Sequence, residues 1–221
     1  MIWIILAAGL TLRLISLNQS LWLDEAINVL AAKNFSLFGM VTQYAVADFH
    51  PPGWFVTVWI WGKLFGYSEI AVRLPSVIFG VITIYVVYLI GKKLVSKDLG
   101  LVAALLLSIN PLHIYYSQEA RMYALAAFAV SVNVLLLIKV IKEEKVNLIF
   151  LIISNLNVLL SDYIAYFIFP AQLIFLYLLK KNEILKKWIA ALASALVIGL
   201  IWLPVFLAQL DTGATASSKL H

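Results

Sequence analysis

Long apolar runs recur along the whole chain, and they constrain its fold more than any other feature of the sequence. Each run has roughly 15–22 residues, and short polar segments separate one run from the next. A helix needs about 20 mainly apolar residues to cross the hydrocarbon core of a bilayer. The chain is 64% hydrophobic, far above a soluble domain. These runs therefore predict an all-α polytopic membrane protein.

The runs predict about seven transmembrane helices within one module, residues 1–207, followed by a polar tail, 208–221. A long first extracytoplasmic loop, 18–69, separates the first two spans. The predicted spans are Ile2–Leu17, Ile70–Gly91, Leu99–Tyr116, Arg121–Ile138, Leu148–Leu160, Tyr163–Leu179 and Trp188–Leu207.

Lysine distribution predicts the orientation of these spans. Residues 148–179 would form a helix of about 48 Å, which is too long for one crossing of a core about 30 Å thick. Two crossings, with a turn near Ser161-Asp162, put all the lysine clusters on one side. By the positive-inside rule that side, with the N-terminus, is cytoplasmic. The clusters are Lys92, Lys93 and Lys97; Lys139, Lys142 and Lys145; and Lys180, Lys181, Lys186 and Lys187.

The same topology places most acids and every arginine outside or in the outward halves of helices. Arginine suits two-pronged contacts with phosphate or carboxylate, so Arg73 and Arg121 are candidate ligand contacts. Arg13, within the first helix, is expected to snorkel or to pair with an acid. The outer acids are Asp24, Glu25, Asp48, Glu69, Glu119, Asp162 and Asp211.

Two interfacial helices are predicted inside the loop 18–69. Apolar residues recur at helical spacing from Ile27 to Phe38, which is typical of an amphipathic helix. The run Trp54–Phe65 is short for a span, and a crossing there would invert every later lysine cluster. It therefore favours an interfacial or re-entrant helix, begun by Pro51-Pro52.

The acidic pair Asp24-Glu25, in "SLWLDEA", stands where the first of these helices begins. One acid is explained by capping, because a carboxylate there meets free amides and the positive end of the helix dipole. Neighbouring helical residues diverge by about 100°, so the two cannot share a face. We expect Asp24 to face a cavity as a catalytic base and Glu25 to face backbone or a partner cation.

Two further polar segments supply candidate site residues. In "DFHPPGW", His50 precedes proline and is held extended, either as an interfacial residue or as a donor or metal ligand. In "NPLHIYYSQEARMYAL", Asn110-Pro111 breaks the third span, and Glu119 and Arg121 follow. These two form either a phosphate clamp with an adjacent acid or a structural pair, Glu119 with Arg121 or Arg73.

The segments "RLISL", "SLWLDEA", "HPPGW", "AVRLPS" and "QEARMYAL", in this order, resemble the GT-C glycosyltransferases, and within them the protein O-mannosyltransferase and aminoarabinose transferase group. The resemblance covers essentially the whole chain, as the N-terminal core module of such enzymes. It implies sugar transfer, with inversion, from a polyprenyl-phosphate carrier on the extracytoplasmic side of the plasma membrane.

The resemblance also implies residue roles. Asp24 matches the catalytic base and Glu25 its companion. The donor and its phosphate are assigned to His50, Arg73, Glu119, Arg121 and Tyr123. No cofactor is required by the resemblance, although some relatives bind a divalent metal, for which Asp24, Glu119 and His50 are the candidate ligands.

The implied partners are the lipid-linked sugar donor, a lipid, protein or glycan acceptor and the membrane, with no nucleic acid. Two other functions stay open at this point. The chain can be a non-catalytic or split-enzyme subunit whose partner supplies further helices, because relatives usually continue with more. A lipid-linked sugar transporter or flippase is the third alternative, although transporters place acids near the midplane and often carry inverted repeats.

Overall fold

The computed structural model describes residues 1–218, and within them every regular element is helical. The first helix, α1, covers Ile2–Leu14. The loop 18–69 contains four helices joined by short turns, with a π-helical turn, Met40–Tyr44, between the second and third of them. These are α2 (Leu23–Asn34), α3 (Leu37–Gly39), α4 (Ala45–Asp48) and α5 (Gly53–Phe65).

Eight further helices follow the loop. Short 3₁₀ turns, Ile164–Phe167 and Leu200–Trp202, precede the sixth and the eighth of them. The helices are α6 (Glu69–Leu94), α7 (Lys97–Ser108), α8 (Pro111–Ser117), α9 (Tyr123–Ile141), α10 (Leu148–Ser161), α11 (Ile168–Leu178), α12 (Asn182–Gly199) and α13 (Leu203–Ser218). The last continues through most of the segment predicted as a polar tail, and residues 219–221 lie outside the described part.

Three helical segments are long and apolar enough to cross a membrane: Glu69–Leu94, Tyr123–Ile141 and Asn182–Thr212. Helices α7 and α8 together make a fourth, bent by 64°. The apolar segments Ile2–Leu14, Leu148–Ser161 and Ile164–Leu178 are shorter. The chain is therefore an all-helical integral membrane protein with three to four clear spans, and the count of seven stays a prediction.

Both predicted interruptions of the helices are found. At the first, Pro111 begins α8 and the Asn110 side chain caps it, accepting from the His113 amide at 2.9 Å. At the second, α10 ends at Ser161 and the chain folds back. The reversal shows in the packing, because two residues of α10, Leu151 and Leu159, lie in clusters with α11 residues, Leu176 and Phe169 respectively.

Arg13 stabilises the first interruption from α1. Its side chain is fully buried and donates to the carbonyl oxygens of Leu107 (3.4 Å) and Ser108 (3.1 Å), where α7 ends. A cation at a helix C-terminus satisfies free carbonyls and meets the negative end of the dipole. The expectation that Arg13 snorkels or pairs with an acid is wrong, because within residues 1–218 it forms no ion pair and instead caps this bend.

The lysine clusters gather at one end of the bundle. Lys93 forms an ion pair with Glu144, and the Lys187 ammonium donates to the Val146 carbonyl at 2.9 Å. Helices α6 and α9 both end there, and α12 begins there. The loop 18–69 packs at the opposite end, against the first turns of α6 and the residues before α9.

The loop 18–69 has a core of its own. Met40, Trp54, Phe55 and Val58 are at most 1% exposed and pack in one cluster with α6 and the 120–122 segment. Gly53 permits a close approach, since a Cβ there would lie 2.3 Å from the Leu160 carbonyl oxygen at the end of α10. Helix α5 covers the predicted run Trp54–Phe65, whereas the helix predicted from Ile27 to Phe38 is interrupted, since α2 ends at Asn34 and α3 begins at Leu37. The depth of these helices in the membrane stays a prediction.

Candidate active site

The acidic pair divides between two environments at the start of α2. Glu25 is fully buried, and its carboxylate accepts from the Ala120 amide at 2.6 Å and the Trp22 amide at 3.2 Å. Asp24 is half-buried and lines a cavity, and it makes no hydrogen bond or ion pair with any described residue. The geometry follows the predicted division, with Asp24 toward a cavity and Glu25 toward backbone and a cation.

The cation that meets Glu25 is Arg73, on the second turn of α6. Its Nε and Nη2 atoms donate to the two carboxylate oxygens at 2.9 and 2.6 Å. The other donors reach the carbonyl oxygens of Leu17 (2.9 Å), Gln19 (2.7 Å) and Ser20 (3.3 Å). All five N–H groups of the guanidinium are thereby used, and the pair joins α6, α2 and the segment that follows α1. The phosphate contact predicted for Arg73 would require some of these bonds to break.

A cavity of about 330 Å³ opens beside Asp24 and brings together three of the predicted site residues, Asp24, His50 and Arg121. Its remaining lining comes from the first loop. The full lining is Asp24, Ile27, Tyr44, Ala47, Asp48, His50 and Arg121.

Asp48 organises this cavity. Its carboxylate accepts from Tyr44 Oη at 2.7 Å and from Arg121 Nη1 at 3.1 Å, and it lies 2.6 Å from His50 Nδ1. Burial raises the pKa of Asp48, but the hydrogen bond to His50, the charge of Arg121 and the Tyr44 hydroxyl outweigh it and hold that pKa below its ordinary value. Conversely, Asp48 outweighs the effect of burial on Arg121 and raises the pKa of that guanidinium.

Asp48 and Tyr44 are site residues that the sequence interpretation did not select. The available signal was the spacing of Tyr44 and Asp48, since residues four apart share one face of a helix.

The structural alternative of a Glu119 pair with Arg121 or Arg73 is wrong, because among the described residues those arginines pair with Asp48 and Glu25.

Glu119 faces a second, separate cavity of about 300 Å³. It is 6% exposed, and its Oε2 atom has no hydrogen-bond partner within residues 1–212. Burial raises the pKa of Glu119, and the nearby charge of Glu25 raises it further. The lining of this second cavity is mostly polar, and comprises Ser16, Gln19, Ser20, Trp22, Glu25, Arg73, Tyr115, Gln118 and Glu119.

Tyr123, the remaining predicted donor contact, lines a third cavity of about 200 Å³ and packs against Tyr116, with ring centroids 4.7 Å apart.

Of the candidate metal ligands, Asp24 and His50 share a cavity and Glu119 lies in another. Within the described part of the chain, no three His, Asp or Glu side chains are grouped closely enough to hold a metal ion. The three candidate ligands therefore do not share one site.

Residues 49–207 match the family described as dolichyl-phosphate-mannose-protein mannosyltransferase. The chain is also 27% identical over 194 residues to "Putative mannosyltransferase YkcB" of Bacillus subtilis, which covers 81% of this chain and 26% of that protein. It is 40% identical over 103 residues to "Dolichyl-phosphooligosaccharide-protein glycotransferase 2" of Pyrococcus furiosus, covering 44% of this chain and 14% of that protein. The chain thus spans about a quarter or less of the length of these two relatives.

Proposed function

The chain belongs to the dolichyl-phosphate-mannose-protein mannosyltransferase family, and on that premise we propose that it is a GT-C membrane glycosyltransferase, or the core module of one. It transfers a sugar from a polyprenyl-phosphate carrier to the hydroxyl of a lipid, protein or glycan acceptor. Transfer takes place on the extracytoplasmic side and inverts the anomeric configuration.

The observation that carries this proposal is the state of Asp24. It is the one acid in its cavity without a bonded partner in the described residues, while Asp48 beside it is held by Tyr44, His50 and Arg121. An unpaired carboxylate is free to accept a proton. Asp24 takes the proton of the acceptor hydroxyl as that oxygen bonds to the anomeric carbon. The bond from that carbon to the phosphate oxygen breaks, and its electron pair leaves with the lipid phosphate.

The leaving phosphate is an anion and requires cations more than it requires an acid. Arg121 and His50 are the side chains of this cavity that carry nitrogen donors, and the Nε atom of Arg121 is buried with no hydrogen-bond partner among the described residues. We assign the carrier phosphate to these two residues. Glu25 and Arg73 hold the start of α2 in place. They affect Asp24 by fixing where its side chain lies.

The helix directions bear on the membrane orientation of the chain. Helices α6 and α9 begin near the cavity and end near the lysines, and α12 with α13 runs the opposite way. These directions support the seven-span topology, with the N-terminus in the cytoplasm and the cavity outside, in the plasma membrane.

A second candidate function is a non-catalytic or split-enzyme subunit that needs a partner. One observation favours it: both residues assigned to the phosphate already contact Asp48, at 3.1 Å from Arg121 and 2.6 Å from His50. A phosphate would have to share them with that carboxylate, or take further cations from a partner.

The test is sugar transfer in proteoliposomes from radiolabelled polyprenyl-phosphate-mannose, comparing the chain with its Asp24→Asn variant. The matched control is Glu69→Gln, which changes an exposed acid outside the cavity. We expect Asp24→Asn to abolish transfer and Glu69→Gln to retain it. Equal turnover by Asp24→Asn would exclude the base assignment. Binding of the carrier by the unmodified chain without any transfer would favour the subunit.

A further inference from the structure

Gln209, on α13, contacts the candidate site from the far end of the chain. Its side chain is 2% exposed. Its Nε2 atom donates to the carbonyl oxygens of Ala45 at 2.7 Å and His50 at 3.1 Å, which are 164 and 159 residues away in the sequence. Both donors of the amide therefore leave their own helix and bind the segment that carries Asp48 and His50.

These two carbonyls lie at either end of a strained turn. Phe49 has left-handed backbone angles, φ 59° and ψ 28°, and its amide donates to the Ala45 carbonyl oxygen at 3.3 Å. A bulky residue is rarely found in this region, and it persists only where its surroundings impose it. The side chain of Phe49 is 41% exposed, so that burial of its ring does little to impose the turn.

The turn has a direct consequence for the site. It brings the side chains on either side of Phe49 together, with His50 Nδ1 at 2.6 Å from Asp48 Oδ1. Asp48 in turn accepts from Arg121, and from Tyr44 one helical turn earlier in the same segment. The shape of the cavity wall therefore depends on the conformation of one residue.

The orientation of the Gln209 amide is fixed from its other side. Its Oε1 atom accepts a hydrogen bond from the Tyr163 hydroxyl, and that hydroxyl accepts from Trp202 Nε1 at 3.1 Å. Tyr163 also packs edge-to-face on Phe206, with centroids 5.5 Å apart. With its oxygen bonded to Tyr163, the amide presents its two N–H groups to the turn. A buried polar network in which each of these groups is satisfied specifies one conformation.

We propose that Gln209 is a positioning residue of the active site, which holds the left-handed turn at Phe49 and thereby keeps Asp48 and His50 in place. A buried amide that merely filled space would find its partners within its own helix or its neighbours. All three partners of Gln209 are remote, and two of them flank the strained residue. The consequence for transfer rests on the proposed function, whereas the consequence for the turn does not.

The test uses Gln209→Met, which keeps the length of the side chain and removes its hydrogen bonds. The matched control is Gln172→Met, since Gln172 is also buried and bonded, to Asn133 at 2.7 Å and Trp188 at 3.2 Å, in a network elsewhere. Hydrogen exchange at the Phe49 amide, which donates to the Ala45 carbonyl oxygen, is measured in both proteins, together with the melting temperature and, in proteoliposomes, kcat and KM for the lipid-linked donor.

We expect faster exchange at the Phe49 amide in Gln209→Met only, and a loss in kcat of roughly 10- to 100-fold, the size typical of a small misplacement. Adding Phe49→Asn to Gln209→Met should bring the exchange rate and kcat part of the way back to those of the unmodified protein, because asparagine tolerates left-handed angles. Exchange in Gln209→Met equal to that in Gln172→Met, or no recovery with Phe49→Asn, would overturn the proposal. If the unmodified chain transfers no sugar, the exchange result alone decides, and the failure is that of the proposed function.

Discussion

Glu25 and Arg73 form a two-pronged ion pair closed to solvent, with Arg73 Nε and Nη2 at 2.9 and 2.6 Å from the two carboxylate oxygens. Glu25 is 0% and Arg73 6% exposed. The neighbouring acid, Asp24, has no such partner in the described residues. Two adjacent carboxylates of one helical turn thus differ in burial and in bonded partners, and they should respond differently to the same change.

We predict that Glu25→Gln strongly destabilises the protein and that Asp24→Asn does not. Removal of one partner from a buried pair leaves an uncompensated charge and costs about 3–5 kcal/mol of the free energy of unfolding. A substitution away from such features usually stays within about 0.5 kcal/mol. Thermal unfolding of both variants in detergent measures the difference.

The double variant Glu25→Gln with Arg73→Met provides the control for that prediction. It removes both charges, so that it should be more stable than Glu25→Gln alone. Equal melting temperatures for Glu25→Gln and Asp24→Asn would show that the pair contributes nothing beyond an exposed acid.

The sequence predicted well those features that depend on local physics. The helix break at Asn110-Pro111 and the reversal at Ser161-Asp162 follow from proline geometry and from the length of an apolar run. The divergence of Asp24 and Glu25 follows from 100° per residue along a helix. The break and the divergence need only neighbours in sequence, whereas the reversal also required the positions of the lysine clusters along the chain.

The partners of the arginines could not be predicted in this way. Glu119 and Arg121 are two residues apart, yet Arg121 binds Asp48, 73 residues away, and Arg73 binds Glu25, 48 residues away. These pairs depend on how the loop 18–69 packs against α6 and the residues before α9. Gln209 was missed for the same reason, because only the tertiary fold brings α13 to the turn at Phe49.

Part of the protein's stability should depend on the ionised form of Asp48, and this part should be lost in acid. Its pKa in the folded protein is lower than its ordinary value of about 3.9. A group of this kind contributes stability that is present above the unfolded pKa and is lost as the pH falls through the folded pKa. We therefore expect the unmodified protein to lose stability below about pH 4 more steeply than Asp48→Asn. Unfolding measured from pH 7 to pH 3 tests this, and parallel curves would contradict it.

Glu119 should show the opposite dependence on pH. Its folded pKa is raised by burial and by Glu25, so the stability it contributes is fully present below its ordinary value of about 4.3. That share is lost as the pH rises through the folded pKa. We expect Glu119→Gln to flatten the decline in stability between pH 4 and neutrality, with exposed Glu69→Gln as the control. A decline unchanged in Glu119→Gln would show that the carboxylate is solvated.

The membrane orientation can be tested by labelling, because the chain has no cysteine of its own. Single cysteines at Asn34, beside the loop helices, and at Asn182, among the lysines, are both at exposed positions. If the bundle spans the membrane with its lysine end in the cytoplasm, an impermeant maleimide added outside intact cells labels Asn34→Cys and not Asn182→Cys. Glu144→Cys serves as the matched control, since Glu144 pairs with Lys93 at the lysine end, and it should behave as Asn182→Cys does. Labelling of Asn34→Cys and Asn182→Cys from the same side would contradict the proposed topology, because that topology has an odd number of spans between them and so places them on opposite faces.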